Sequence, residues 1–90
     1  MLKISQSEPV NHAVTLRFEG SVAGPWVAEA RKACEKVLTE GKALKLDLAE
    51  VEFLDLTGVA LLSSFRARGV VFVDCSPFVE AQLKASASHL

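Results

Sequence analysis

The amino-acid sequence predicts a two-layer α/β fold, in which a four-stranded mixed sheet carries about three helices on one face. Strand-like and helix-like segments alternate along the chain, an order that indicates parallel strands joined by right-handed crossovers. The strand-like segments at residues 14 to 18 and 44 to 48 keep polar residues at alternate positions, which is typical of strands with one face in water. We therefore expect the helices to cover the opposite face, and residues 1 to 90 to form a single domain.

The first half of the chain contains two strand-like segments and one amphipathic helix. Residues 2 to 5 alternate in polarity and are expected to fold back as an antiparallel partner of the next strand. That strand is predicted at residues 12 to 19, before residues 20 to 24 break the alternation. A helix then begins at Pro25 and stops at Gly41. Its apolar residues are expected to pack in the core: Trp26, Val27, Ala30, Ala33, Cys34, Val37 and Leu38.

The second half of the chain repeats the order of strand and helix. A strand is predicted at residues 44 to 48, and residues 50 to 54 are expected to lead the chain onward to Asp55. Asp55 is a natural N-cap for a short helix that runs to Arg66. The inward stripe of that helix is predicted to consist of Val59, Leu62 and Phe65.

The last strand and the last helix follow in the same way. A strand is predicted at residues 70 to 74, and the pair Ser76 and Pro77 indicates the start of a closing helix. Residues 85 to 90 are expected to be a frayed tail of the same domain, because chain ends are poorly held unless they pack against the core.

The composition limits the classes of function. The chain has a formal net charge of −1 with acidic and basic residues interspersed, so it lacks a basic stripe for a nucleic acid. Its apolar runs are shorter than the roughly 18 residues that cross a membrane, and the first residues lack the apolar core of a signal peptide. We therefore expect a cytoplasmic protein that neither binds nucleic acid nor inserts into a membrane.

The cysteine and histidine residues do not indicate a chemical site. Cys34 and Cys75 are far apart in sequence and lie in apolar segments, so they are predicted to be reduced thiols of the core. His12 and His89 have no metal-ligand spacing with them. The sequence also lacks a phosphate-cradling loop and a histidine beside a nucleophile. It therefore predicts no enzymatic activity, no cofactor and no metal.

The segment Asp55-Leu56-Thr57-Gly58 combines a carboxylate, a hydroxyl and a glycine at the junction of a predicted strand and a predicted helix. The first-turn amide groups of a helix are free at such a junction. In the simplest interpretation this is a capped helix start, in which Thr57 makes a local hydrogen bond and Gly58 allows close packing. In the second interpretation it is a switch, because one added phosphate would change the charge of the junction strongly.

The same segment resembles the signature of the STAS family, the small domains typified by bacterial anti-sigma factor antagonists, whose motif is Asp-Ser-Ser/Thr-Gly followed by an apolar helix. Residues 14 to 38 are similar to the family's strand, turn and first helix, and residues 68 to 79 to its last strand and the start of its final helix. Leu56 stands in place of the first serine of the motif. The helix predicted at residues 56 to 66 is roughly a turn shorter than is usual in the family.

The resemblance implies a non-catalytic regulatory domain that controls transcription through protein contacts. It implies a partner that is an anti-sigma factor and a serine/threonine kinase of ATPase fold, which phosphorylates Thr57. The partner surface that it implies consists of Asp55, Leu56, Thr57, Gly58 and Val59. In such proteins the unmodified domain binds the anti-sigma factor and frees the sigma factor, and the phosphorylated domain dissociates.

Two alternatives within the family stay open. One is a constitutive STAS subunit that supports the ATPase of an ABC-type lipid transporter, for which the apolar run at residues 57 to 62 would be a permanent docking surface. The other is a STAS scaffold that has lost the phospho-switch. Leu56 slightly favours the constitutive subunit, because it makes the helix start more apolar. The sequence does not indicate an oligomeric state.

Overall fold

In the part of the chain that the structure describes, four strands form one mixed sheet, and three helices pack on it. The structure is a computed structural model that describes residues 1 to 87. In chain order the elements are β1 (Leu2–Gln6), β2 (Ala13–Val22), α1 (Trp26–Thr39), β3 (Ala43–Leu54), α2 (Leu56–Ala67), β4 (Val71–Cys75) and α3 (Pro77–Ala87). The strand order is β1-β2-β3-β4, with β1 antiparallel to β2 and the other two pairs parallel. The predicted fold class is confirmed.

The apolar core lies between the sheet and the helices. Alternate residues of β2 and β3 point into it, because successive side chains of a strand lie on opposite faces. The strands contribute Val14, Leu16, Phe18, Leu44, Leu46 and Leu48, all at most 3% exposed. The helices contribute Val27, Ala30, Cys34 and Val37 from α1, Val59, Leu61, Leu62 and Phe65 from α2, and Val79 and Leu83 from α3. The inward stripe predicted for α2 is therefore confirmed.

The strands β2 and β3 are longer than the sequence predicts. β2 continues through Gly20 to Val22, and residues 49 to 54 continue β3 instead of forming a connection. The two strands stay paired over this length, and their register shifts twice, between Arg17 and Glu19 and between Gly20 and Ser21. Gly20 has a φ of 103°, and a Cβ there would overlap the carbonyl oxygen of Met1, which accepts a hydrogen bond from the Ser21 amide. Gly20, which interrupts the alternation of polar and apolar residues, therefore bends the strand and does not end it.

The strand β4 forms one edge of the sheet. Its register against β3 pairs Phe72 with Leu46 and Asp74 with Asp47, so Val73 is an extra residue in a bulge. The Val73 side chain is 54% exposed. The edge is therefore both short and irregular.

The helix α1 buries a narrower face than the sequence predicts. Pro25 is its N-cap residue and α1 begins at Trp26. The expected burial of Trp26 is wrong, because the core-facing stripe begins one residue later, at Val27. Trp26 is 36% exposed and Val27 is 8% exposed.

The two cysteines are free thiols, as predicted. Cys34 is buried, and burial raises the pKa of its thiol to about 12. Cys75 is half-buried at the end of β4. The helix α3 continues through Ala87, although the sequence predicts fraying from Ala85. Residues 88 to 90 of the predicted tail, which include His89, lie outside the described residues.

Replacing Leu46 by alanine is expected to lower the free energy of unfolding by about 2 to 5 kcal/mol, because this side chain is fully buried in the sheet. Leu56→Ala is the matched control. Leu56 is 89% exposed, so its truncation is expected to change the free energy of unfolding by less than about 0.5 kcal/mol. Urea denaturation followed by circular dichroism measures both. Equal losses in the two variants would contradict the described core.

Candidate functional site

The junction between β3 and α2 lies beside the start of α1. Buried Leu54 ends β3, and Asp55 has an extended backbone with φ −92° and ψ −176°, which is the usual conformation of an N-cap residue. Val22, the last residue of β2, pairs with Leu54. The β2–α1 turn, residues 23 to 25, therefore lies next to the first turn of α2. We call this region, where two helices begin, the corner.

The carboxylate of Asp55 holds the corner together. Its Oδ1 accepts hydrogen bonds from the amide of Gly58 at 2.7 Å and from the hydroxyl Oγ1 of Thr57 at 2.8 Å. Its Oδ2 accepts from the amide of Gly24 at 2.8 Å, a bond between residues 31 positions apart in sequence. One side chain thus caps α2 and fastens the β2–α1 turn to it. We call this set of hydrogen bonds the Asp55 link.

The hydrogen bonds of the Asp55 link stabilise the ionised carboxylate. The Gly24 amide lowers the pKa of Asp55 most, and the Gly58 amide and the Thr57 hydroxyl lower it further. Desolvation opposes them and is smaller. The carboxylate is therefore charged at neutral pH, where it also interacts favourably with the positive end of the α2 dipole.

Gly58 allows α2 to begin directly against the end of β2. The residue is buried, and a Cβ at this position would overlap the carbonyl oxygen of Val22. The requirement for glycine is therefore the close approach of two backbones. This agrees with the packing role that the sequence predicts for Gly58.

The five residues predicted to contact a partner differ in their exposure. Leu56 is 89% exposed, Thr57 is also exposed, and Asp55 is half-buried. Gly58 and Val59 are buried, with Val59 only 8% exposed. Gly58 and Val59 therefore pack beneath the surface of the corner. A partner can reach the side chains of Asp55, Leu56 and Thr57. Partner binding here stays a prediction.

Sequence reasoning missed the β2–α1 turn as a part of the corner. The amide of Gly24 is bound to Asp55, and the half-exposed Trp26 follows two residues later. Phe53, just before the corner, is 51% exposed. The available signal was the dipeptide Gly24-Pro25, which marks a turn but does not indicate its neighbours in space.

The two chain segments that build the corner carry carboxylates and no basic residue. Residues 20 to 30 and 49 to 65 contain Glu29, Glu50, Glu52 and Asp55, and they contain neither lysine nor arginine. Arg17 of β2 lies 3.8 Å from Glu50 in an exposed ion pair. An additional anion at Thr57 would therefore find backbone amides, but no cation from these segments.

The described residues indicate neither a metal site nor a membrane span. Residues 1 to 87 contain no group of three or more His, Cys, Asp or Glu side chains arranged to hold a metal ion. None of the helices in this part of the chain has the length and apolar character that crossing a membrane requires. A cavity of about 410 Å³ lies away from the corner, against β4 and α3, where Arg66, Phe72 and Glu80 are among its lining residues.

Comparison with solved structures identifies the class of fold as STAS-like. The chain is similar to the structure of the anti-sigma factor antagonist SpoIIAA in its unphosphorylated form, with a TM-score of 0.59 and 18% sequence identity. The similarity covers 94% of this chain and 66% of that chain. No protein-family model matches the sequence, and no curated protein matches it. At 18% identity the similarity establishes the fold alone.

Replacing Gly58 by alanine is expected to lower the free energy of unfolding by about 3 kcal/mol, because the new methyl group meets the Val22 carbonyl and α2 must move away. Thr57→Ala, one residue earlier, is the control, since it removes one exposed hydrogen bond and is expected to cost about 1 kcal/mol or less. Urea denaturation of the two variants gives the comparison. A Gly58→Ala protein as stable as the wild type would show that the backbones do not approach closely.

The stabilising contribution of Asp55 is expected to depend on pH. The folded-state pKa lies below the ordinary value of 3.8, so the contribution is fully present above that value and is lost as the pH falls through the lowered pKa. Asp55→Asn has no group that titrates here. Its urea midpoint is therefore expected to fall less than that of the wild type between about pH 5 and pH 2. Parallel pH profiles would contradict a lowered pKa for Asp55.

Proposed function

We propose that this chain is a non-catalytic regulatory domain of the anti-sigma factor antagonist type, which acts in the cytoplasm through protein contacts. Its partner is an anti-sigma factor that is also a serine/threonine kinase of ATPase fold. The partner binds the corner at Asp55, Leu56 and Thr57, with Gly58 and Val59 beneath, and phosphorylation of Thr57 ends the binding. The observation that carries the proposal is the Thr57 hydroxyl, which is exposed at a helix start and held by the Asp55 carboxylate.

The geometry of Thr57 suits a phosphoryl acceptor. Its hydroxyl donates a hydrogen bond to Asp55 at 2.8 Å, which fixes the orientation of Oγ1 while the side chain stays accessible. In the proposed transfer, Oγ1 forms a bond to the γ-phosphorus of ATP as the bond from that phosphorus to ADP breaks, and the hydroxyl proton is released. The kinase supplies ATP and its own catalytic groups. Asp55 is a positioning residue.

The charge of the product accounts for dissociation. A phosphate adds about −1.5 to −2 charges at neutral pH. Within the domain the first-turn amides of α2 stabilise this charge. A partner surface that fits the neutral threonine and the apolar Leu56 has to desolvate the phosphate beside Asp55, which is unfavourable. The complex therefore separates without unfolding of the domain.

The similarity to a solved structure supports a regulatory role of this type. It is described as an anti-sigma factor antagonist in its unphosphorylated form, and its fold extends over 94% of the present chain. Because the present chain spans 66% of the length of that protein, the transfer of partner and switch to this chain is part of the proposal.

The exposure of Leu56 favours a second candidate function. A leucine that is 89% exposed at a helix start is suited to permanent docking, because burying it in a partner removes apolar surface from water. This fits a constitutive STAS subunit bound to the ATPase of an ABC-type lipid transporter. In that case Thr57 only donates its hydrogen bond to Asp55 and is never modified. A scaffold without the phospho-switch would also leave Thr57 unmodified, and it would have no ATPase partner.

The proposal is tested by capture of binding proteins from the native cell lysate with wild type, Thr57→Ala and Thr57→Glu. We expect a kinase of ATPase fold to bind the wild type and Thr57→Ala, and to bind Thr57→Glu at least about tenfold less, because the added charge must be desolvated. Mass spectrometry identifies the captured protein and the phosphorylated residue of the wild-type chain. The purified partner with ATP is then expected to phosphorylate the wild type and not Thr57→Val.

Two surface variants are the controls. Leu56→Ala is expected to weaken binding without unfolding the domain, and Val73→Ala is expected to leave binding unchanged, because it alters an exposed apolar residue at the β4 edge. Equal capture of one transporter ATPase by all three Thr57 proteins would support the constitutive subunit. Capture of no ATPase, with Thr57 unmodified, would leave the scaffold. Either result would refute the switch.

A further inference from the structure

The Asp55 link joins the first turn of α2 to the turn before α1 through a single side chain. On the α2 side, Oδ1 accepts from the Gly58 amide and the Thr57 hydroxyl. On the α1 side, Oδ2 accepts from the Gly24 amide. The carbonyl oxygen of Gly24 in turn accepts from the Val27 amide in the first turn of α1, at 3.2 Å. Two hydrogen bonds, one from Thr57 to Asp55 and one from Gly24 to Asp55, therefore connect Thr57 with the turn before α1.

A phosphate on Thr57 competes with Asp55 for the same amides. Phosphorylation replaces the O–H bond of Thr57 by an O–P bond, so the hydrogen bond that Thr57 donates to Oδ1 at 2.8 Å is lost. The phosphate oxygens are strong acceptors at a helix N-terminus, and the two anions repel each other. The segments that build the corner hold no lysine or arginine to bridge them.

We infer that a phosphate on Thr57 displaces the Asp55 carboxylate from the first turn of α2 and thereby releases the β2–α1 turn, residues 23 to 25. The phosphate takes over the amide of Gly58, and the amide of Gly24 loses its acceptor. The surface that a partner meets then differs at both helix starts, including the half-exposed Trp26. The inference rests on the proposed function for its trigger, because phosphorylation of Thr57 is itself proposed.

The position of Cys34 in the chain allows the preparation of protein that is phosphorylated at one chosen threonine. Cys34 follows Ala33, so a fragment of residues 1 to 33 can be joined to a synthetic fragment of residues 34 to 90 by native chemical ligation without changing the sequence. The synthetic fragment carries phosphothreonine at position 57, phosphothreonine at position 39 or no modification. Thr39 is exposed at the far end of α1 and is the matched control.

Amide hydrogen exchange of Gly24 and Gly58, followed by NMR, is the primary measurement. With phosphate on Thr57, the exchange of the Gly24 amide is expected to accelerate by roughly tenfold, the effect of losing one charge-assisted hydrogen bond. The Gly58 amide is expected to stay protected, since the phosphate replaces its acceptor. Trp26 is the single tryptophan of the chain, and its fluorescence is expected to become more accessible to acrylamide. Phosphate on Thr39 is expected to change neither amide.

Two variants show whether competition between the anions is the cause. Thr57→Val removes the hydroxyl and adds no charge, so Gly24 is expected to keep its protection. Asp55→Asn removes the repulsion and keeps one acceptor oxygen, which can serve Gly58 or Gly24 but not both. The effect of phosphate on Gly24 is therefore measured against the unphosphorylated Asp55→Asn chain, and it is expected to be smaller than in the wild type. An unchanged exchange rate of the Gly24 amide in the chain phosphorylated on Thr57 would overturn the inference. Exchange of Gly24 in Thr57→Val that is as fast as in the phosphorylated chain would also overturn it.

These measurements contain neither kinase nor partner, so their outcome is independent of the capture experiment. Coupling without a captured kinase would leave the inference intact and refute the switch in the cell. A captured kinase with no change at Gly24 would do the reverse, and dissociation would then follow from the charge on Thr57 alone.

Discussion

The corner depends on the hydrogen bonds that the ionised carboxylate of Asp55 accepts. The helices α1 and α2 begin close together, and the first turn of α2 and the turn before α1 both have an amide group that needs an acceptor from outside the helix. One side chain accepts from both, at 2.8 Å from Gly24 and 2.7 Å from Gly58. This is possible because Gly58 lets α2 approach the carbonyl of Val22. The capping residue and the glycine are therefore parts of one solution to the packing of β2 against α2.

The same arrangement determines what the surface of the corner offers. Burial of Gly58 and Val59 fixes the direction in which α2 leaves the sheet, and it leaves Leu56 and Thr57 facing solvent. An apolar side chain and a hydroxyl thus lie next to each other at the start of α2, in a region that carries carboxylates. A new anion at Thr57 would find backbone amides there, but no cation of the same segments to neutralise it.

Most of the fold could be predicted because polarity along β2, β3 and the helices records which side faces the core. The roles of Asp55 and Gly58 were also predictable, since a cap and a close approach act over a few residues. The bond from Asp55 to Gly24 was not, because it spans 31 residues and follows from the parallel pairing of β2 with β3. The burial expected for Trp26 was wrong because helical spacing groups the residues of one face but does not show at which residue the buried part of that face begins, which here is Val27.

The irregular edge at β4 has a consequence for the protein in solution. An open strand edge presents unpaired amide and carbonyl groups to any other chain, which makes long, flat edges sites of aggregation. Here the edge has five residues, and the bulge at Val73 interrupts the spacing of its free groups. An incoming strand can align with a few of them at most. Backbone shape thus hinders the pairing of another chain at this edge of the sheet, although two apolar side chains, Val71 and Val73, lie exposed on β4.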